Sequence, residues 1–223
     1  MKKRMSLLLC ALLALSLGGC GGTSSGPGAP SGSASASPAP EPPSQTATPA
    51  PADSAAPSAE PTGEGKTLVA YFSWSGNTRQ VAELIAGQTG GDLFEIATQT
   101  PYTDDYNTLL EVAQQEQSEG ARPELNAQVD NWDSYDTVFV GYPNWWSDAP
   151  MAVYTFLESY DFTGKTLVPF NTSASGGFGR SLTGLADSAP GAEMAQGLAL
   201  TESELEEAET RVADWLGELG MKE

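Results

Sequence analysis

Histidine is absent from this chain of 223 residues, and cysteine occurs only twice, at Cys10 and Cys20. Without histidine, no Ser-His-Asp or Cys-His catalytic group and no histidine-based metal site can be assembled. Both cysteines lie in or directly after a leader-like segment, so disulfide and Cys-x-x-Cys redox chemistry are excluded from the mature chain. Any redox chemistry must then be carried by a bound cofactor. Positive charge is scarce as well: 10 Lys and Arg stand against 29 Asp and Glu, a net charge of −19. That balance argues against nucleic acid and against electrostatic adhesion to an anionic membrane. It suits a soluble surface or attraction to a cationic partner. Long apolar runs are missing too. The longest, Leu7 to Leu17, is about half the roughly 20 residues that a spanning helix needs.

The chain starts Met1-Lys2-Lys3-Arg4, continues through that apolar run and reaches Gly18-Gly19-Cys20. A basic start, a short apolar stretch and small residues before a cleavage point describe a secretory signal, so residues 1–19 are set aside from the fold. The end of this segment, Leu17-Gly18-Gly19-Cys20, resembles a bacterial lipobox. That resemblance implies a lipidated Cys20 as the new N-terminus, although an ordinary secretory signal with an incidental cysteine has the same outline. Losing Lys2, Lys3 and Arg4 deepens the net charge of −19 by three. Residues 21–65 are Ser, Ala, Pro, Gly and Thr with almost no large apolar side chains. Such a segment cannot bury enough surface to offset its ordering entropy. Residues 20–65 therefore read as a lipidated cysteine and a disordered tether, with a reach of roughly 40 Å if fully flexible.

Residues 66–223 form a domain large enough for one core. Apolar strand-like runs alternate with helical periodicity along it. Strands are predicted at Thr67 to Phe72, Asp92 to Ala97, Thr137 to Tyr142, Thr166 to Phe170 and, weakly, Met194 to Leu200. Pro169 sits inside the fourth, where a strand interior disfavours proline. Helices are predicted over Arg79 to Gln88, Asn107 to Glu119 (with a thin apolar face), Met151 to Leu157 and Arg180 to Ala186. A last helix begins at Thr201, where Thr201 and Glu204 have capping-box spacing. Leu205, Ala208, Val212, Trp215 and Leu219 then recur at steps of three or four. Continuous apolar strands alternating with helices imply a parallel sheet covered on both faces. In such sheets ligands bind beyond the carboxyl ends of the strands, where strand order reverses.

Three loops follow the relevant strands. The first, Ser73-Trp74-Ser75-Gly76-Asn77-Thr78, leads straight into a helix. Its hydroxyls and backbone N–H groups suit a phosphate at a helix N-terminus, and it is equally a polar capping turn. Arg79 is the one cation beside it. The second contains Pro143, Asn144, Trp145 and Trp146, then Ser147 and Asp148. Neighbours on an extended chain point opposite ways, so one indole is expected to pack inward, as a clasp onto the helix at Met151 to Leu157, and the other to face a cleft. A flat indole can stack on an aromatic ring. The third, Thr172-Ser173-Ala174-Ser175-Gly176-Gly177, is made of small residues that let backbone approach a ligand closely.

Ser73 to Thr78 resembles the flavodoxin phosphate loop, and the resemblance extends over 66–223 through Tyr102 to Tyr106, Arg122-Pro123 and the tryptophan loop. These stretches are similar to a bacterial flavodoxin-like family that includes lipoproteins. The third loop departs from the family pattern: Ala174 and Ser175 stand where a glycine pair is usual. The resemblance implies an α/β fold, a doubly wound five-stranded parallel sheet of order 2-1-3-4-5 with helices on both faces. It implies FMN as cofactor, held by the residues named in the three loops, with Pro143 to Trp146 along the isoalloxazine ring. The expected function is an electron carrier held outside the cytoplasmic membrane by its lipid alone, serving a redox partner protein or a small-molecule acceptor. Two alternatives stay open: an FMN-dependent reductase of quinones or other small molecules, and a binding protein that kept the fold and lost the cofactor.

Overall fold

The computed structural model describes residues 65–221; the leader, Cys20 and the tether lie outside the described residues. Among the described residues are six strands and five α-helices, alternating except where β5 leads directly to β6. The strands are β1 (Lys66–Tyr71), β2 (Asp92–Glu95), β3 (Tyr135–Pro143), β4 (Thr166–Ser173), β5 (Glu193–Met194) and β6 (Leu198–Thr201). The helices are α1 (Asn77–Thr89), α2 (Tyr106–Glu119), α3 (Met151–Glu158), α4 (Ser181–Ser188) and α5 (Ala208–Leu219). All pairings between strands are parallel, in the order β2-β1-β3-β4-β5, with β6 also on β4.

The side-chain alternation of the central strands builds two cores. Leu68 and Ala70 of β1, Val138 and Val140 of β3 and Leu167 of β4 face α3 and α4, where Val153, Phe156, Leu157 and Leu185 close the layer. Val69 and Tyr71, Phe139, and Val168 with Phe170 face the other way, onto Val81 and Ile85 of α1 and Val212, Trp215 and Leu216 of α5. Both faces are apolar because both are covered, which is why these strands read as unbroken hydrophobic runs.

The predicted fifth strand is split. β5 pairs with Thr166 and Leu167, β6 begins opposite Phe170, and residues 195–197 between them leave the ladder. Pro169 lies opposite this gap. The Ala195 N–H donates to the Leu167 carbonyl at 2.9 Å. In a parallel ladder the next donor from β4 would be the N–H of residue 169, which proline lacks. Gly197 takes up the ring: a Cβ there would stand 2.9 Å from Pro169 Cγ. The last helix also differs from expectation, since Glu202–Glu207 form a 3₁₀ turn before α5 starts. The capping residue works as its spacing predicts, with Glu204 accepting from both the Thr201 N–H and its hydroxyl at 2.8 Å. Helix α2 buries only Leu109 and Ala113, which agrees with its thin apolar face.

Candidate functional site

β1 and β3 are neighbours from which the chain winds in opposite directions, so the loops after them diverge and leave a crevice at their carboxyl ends. The loop after β1 ends at Gly76, with φ of 92°. That left-handed turn favours glycine, and it sets residues 77 onward into α1. The α1 N-terminus has no side-chain cap at Gly76 and no acidic residue in its first turn. Its Arg79 N–H is satisfied by the Ser73 hydroxyl at 3.2 Å. Among the described residues the N–H groups of Trp74, Ser75, Gly76, Asn77 and Thr78 have no protein acceptor. Outward-pointing unpaired N–H groups at the positive end of a 13-residue helix make an anion site. Arg79 contributes no charge to it, because its guanidinium pairs with Glu95 at 2.6 Å. That partner holds the Arg79 pKa above its ordinary value through the hydrogen bond and the charge.

The Thr78 hydroxyl is buried and bonded to the Thr172 hydroxyl at 2.9 Å. This bond fastens the first loop to the third across the top of the sheet. The second loop is fastened to the third as well. Asn144 and Asn171 both donate to the Gly177 carbonyl, at 2.8 and 2.9 Å. The Arg180 N–H donates to the Ser147 carbonyl at 2.9 Å. Gly179 presses so close that a Cβ would lie 2.2 Å from the Ser147 oxygen.

Residues 145–148 form a tight hairpin turn in which Trp145 and Asp148 exchange both backbone hydrogen bonds, at 2.8 and 3.0 Å. Its central residues are Trp146 (φ 52°) and Ser147 (φ 62°). This turn type requires positive φ at both places and usually takes Asn-Gly. The left-handed cost of roughly 1–2 kcal/mol per residue must be offset by the surroundings. Asp148 supplies that support. Its buried carboxylate accepts from the Ala149 N–H at 2.9 Å, the Tyr154 hydroxyl at 2.5 Å and Arg180 Nε at 2.7 Å. Burial, then the bond to Asp148, pushes the Tyr154 phenol well above its ordinary value, so it is the donor.

The two indoles separate as expected, but at a tight turn with positive φ rather than along an extended strand. Trp145 packs inward, edge-on to Phe72 (centroids 5.2 Å apart) and Tyr102 (5.4 Å). Trp146 stays 46% exposed. Trp145 joins the core layer that holds Met151 to Leu157, as the expected clasp requires, while the Trp146 Nε1–H donates to the Leu110 carbonyl of α2 at 3.1 Å.

A cleft of about 180 Å³ gathers parts of all three loops. Trp74, Ser75 and Asn77 line it from the first loop, Pro143, Asn144 and Trp145 from the second, and Thr172, Ser173 and Ala174 from the third. Ser73, Gly76 and Thr78 support it from behind through the contacts above. Ser175, Gly176 and Gly177 do not line it. Gly176 instead donates its N–H to Ser173 Oγ at 2.7 Å, and Gly177 receives the two asparagine side chains. Trp146 lines an adjoining groove of about 370 Å³, together with Trp74, Tyr106, Leu109, Leu110, Ala113, Asn144 and Trp145. Two cleft residues escaped sequence reasoning. Tyr106, which opens α2, is 59% exposed and sits 6.1 Å from the Trp74 ring; the family-like stretch ending at Tyr106 was its signal. Glu202 carried none, since its place after Thr201 reads as helix-dipole chemistry.

The donor set fits a planar ring with a phosphate tail. Unpaired N–H groups and the Ser75, Asn77 and Ser173 side chains share the cleft with the Trp74 and Trp145 indoles and the Tyr106 phenol. The flavodoxin family model matches residues 66–219. Among solved structures, the chain is similar to a protein of Bacteroides eggerthii provisionally designated a flavoprotein. Identity is 36%, covering 68% of this chain and 96% of that one, with a TM-score of 0.60. A protein of Bacteroides uniformis with the same designation is 35% identical over 67% of this chain and 98% of its own, also at 0.60. A flavoprotein of Lactobacillus acidophilus, solved in complex with FMN, shares the fold at 24% identity and a TM-score of 0.51, covering 64% and 97% of the two chains. A search of curated proteins finds no match.

Proposed function

The chain belongs to the flavodoxin family, and from that premise we propose that it binds FMN in the three-loop cleft and works as a lipid-anchored electron carrier outside the cytoplasmic membrane. One observation carries the cofactor reading. Unpaired N–H groups at the α1 N-terminus open into the same cleft as Trp74, Tyr106 and Trp145, at the point where strand order reverses. FMN would supply reversible one- and two-electron chemistry, which no side chain here can.

The residues of the chain divide the work. The Ser73 to Thr78 loop holds the phosphate through neutral donors and the helix dipole. The Asn144 and Trp145 backbone would border the ring, and Trp74 and Tyr106 would give it flat apolar neighbours. Glu202 places a negative charge on the cleft wall. With FMN bound, the indoles and the Glu202 carboxylate would disfavour added negative charge on the ring and so would lower its potential for the second electron. The Cys20 lipid holds the domain at the membrane, and the acidic surface draws basic redox partners transiently. A reductase of small molecules is the second reading, favoured by the aromatic groove that continues from the cleft.

The test is a titration of the purified protein with FMN, following flavin and tryptophan fluorescence. Tight binding with quenching of both supports the cleft. A folded protein that leaves FMN unquenched would return the reading to a fold that has lost its cofactor. Turnover of NAD(P)H with a quinone separates reductase from carrier.

A further inference from the structure

The groove next to the cleft is built unlike the rest of the surface. No charged side chain lines it, in a chain whose net charge is −19. It therefore offers no cation to a phosphate or carboxylate and no carboxylate to an amine, and burial of either charge there would go uncompensated. The two residues that α2 buries, Leu109 and Ala113, belong to neither core layer and instead form the groove floor. Two of the four exposed large hydrophobic residues among those described, Tyr106 and Trp146, stand at its sides. Trp146 is held there at a conformational cost, by a turn with positive φ at two successive non-glycine residues and by the bond from its indole to Leu110. Strain of this kind persists only where the surroundings impose it, and it clusters at ligand sites. A volume of about 370 Å³ matches a small-molecule pocket.

We propose that this groove is a binding site for a neutral, planar aromatic molecule, occupied at the same time as the FMN cleft. Flat indole and phenol walls favour a flat ligand through stacking and edge contacts. Trp74, Tyr106, Asn144 and Trp145 line both cavities, so the bound molecule lies beside the cofactor. The inference rests on the FMN reading and names the substrate class for its reductase form.

The test uses 2-naphthol, a planar and redox-inert probe, with the full chain carrying labelled leucine and alanine methyl groups. Methyl spectra are recorded without FMN and at saturating FMN. The expected result is a shift of the Leu109, Leu110 and Ala113 methyls in both states. Leu110→Trp, which fills the groove from a half-buried position, weakens naphthol by at least about tenfold and leaves FMN affinity unchanged. Displacement of naphthol by FMN would assign the groove to the cofactor's own ring and overturn the proposal. Methyls that stay unshifted in FMN-loaded protein would overturn it too. Naphthol binding in a protein that does not take FMN would keep the groove and remove the cofactor reading instead.

Discussion

Arg79 and Glu202 set the electrostatics of the cleft from opposite directions. The nearest cation in sequence is turned away onto Glu95, and an acid that is remote in sequence is brought onto the cleft wall. An incoming dianion thus meets dipoles and one like charge. Glu202→Gln is expected to tighten FMN binding by about two- to fivefold, the worth of one exposed charge interaction. It also raises the potential of the second electron; a fluorescence titration and a redox titration read the two effects. Gly76 makes a second residue-scale test. A Cβ there meets nothing within 4 Å, yet φ is +92°. Gly76→Ala therefore pays a conformational cost alone, about 1–2 kcal/mol in urea unfolding. A loss near zero would show that the turn relaxes.

Among elements, the Trp145–Asp148 turn depends most on its neighbours. Arg180 is largely exposed, but its partner Asp148 is 7% exposed and bears the strained turn on its carboxylate. Removing the guanidinium leaves a buried charge with the Tyr154 hydroxyl and one N–H. Arg180→Ala is expected to cost about 1–2 kcal/mol, less than a fully buried pair because of the arginine's exposure. The loss should be local, seen as faster hydrogen exchange at the Trp145 and Asp148 amides, with Arg180→Lys recovering part of the protection. Uniform loss of protection across β3 and β4 would instead make the pair a general stabiliser. The split edge strand follows the same logic at another place. Pro169 removes one donor, and the partner strand opens where that donor would have been used.

At the scale of the whole molecule, charge and the proposed tether would act together. A domain this acidic is repelled by anionic lipid headgroups, so under the proposed function membrane attachment would fall to a lipid on Cys20. Cys20→Ala is expected to release the protein from the membrane fraction without altering FMN binding; membrane retention at low and high salt alike would point to another anchor. The acidic surface also predicts that electron transfer to a basic partner slows as ionic strength rises, because screening shortens the steering range. A rate independent of salt would argue for a neutral acceptor of the kind the groove accommodates.

Local order was legible along the chain. Continuous apolar runs marked the strands and the 3.6 periodicity the helices, and the first loop announced itself because phosphate loops are contiguous. Burial on both faces made the strands apolar throughout, so strand order followed from the fold class to which alternation and the loop motifs pointed. The third loop was legible only as far as Ala174, since the turn that withdraws Ser175 to Gly177 depends on Asn144 and Asn171 reaching Gly177 from other strands. Position across the cleft was settled by packing alone. The helix that receives Trp146, the direction of Arg79 and the arrival of Glu202 each depend on contacts between segments from 16 to more than 100 residues apart. A sequence records its neighbours along the chain, while these contacts form only when β1 to β4 bring their carboxyl ends together.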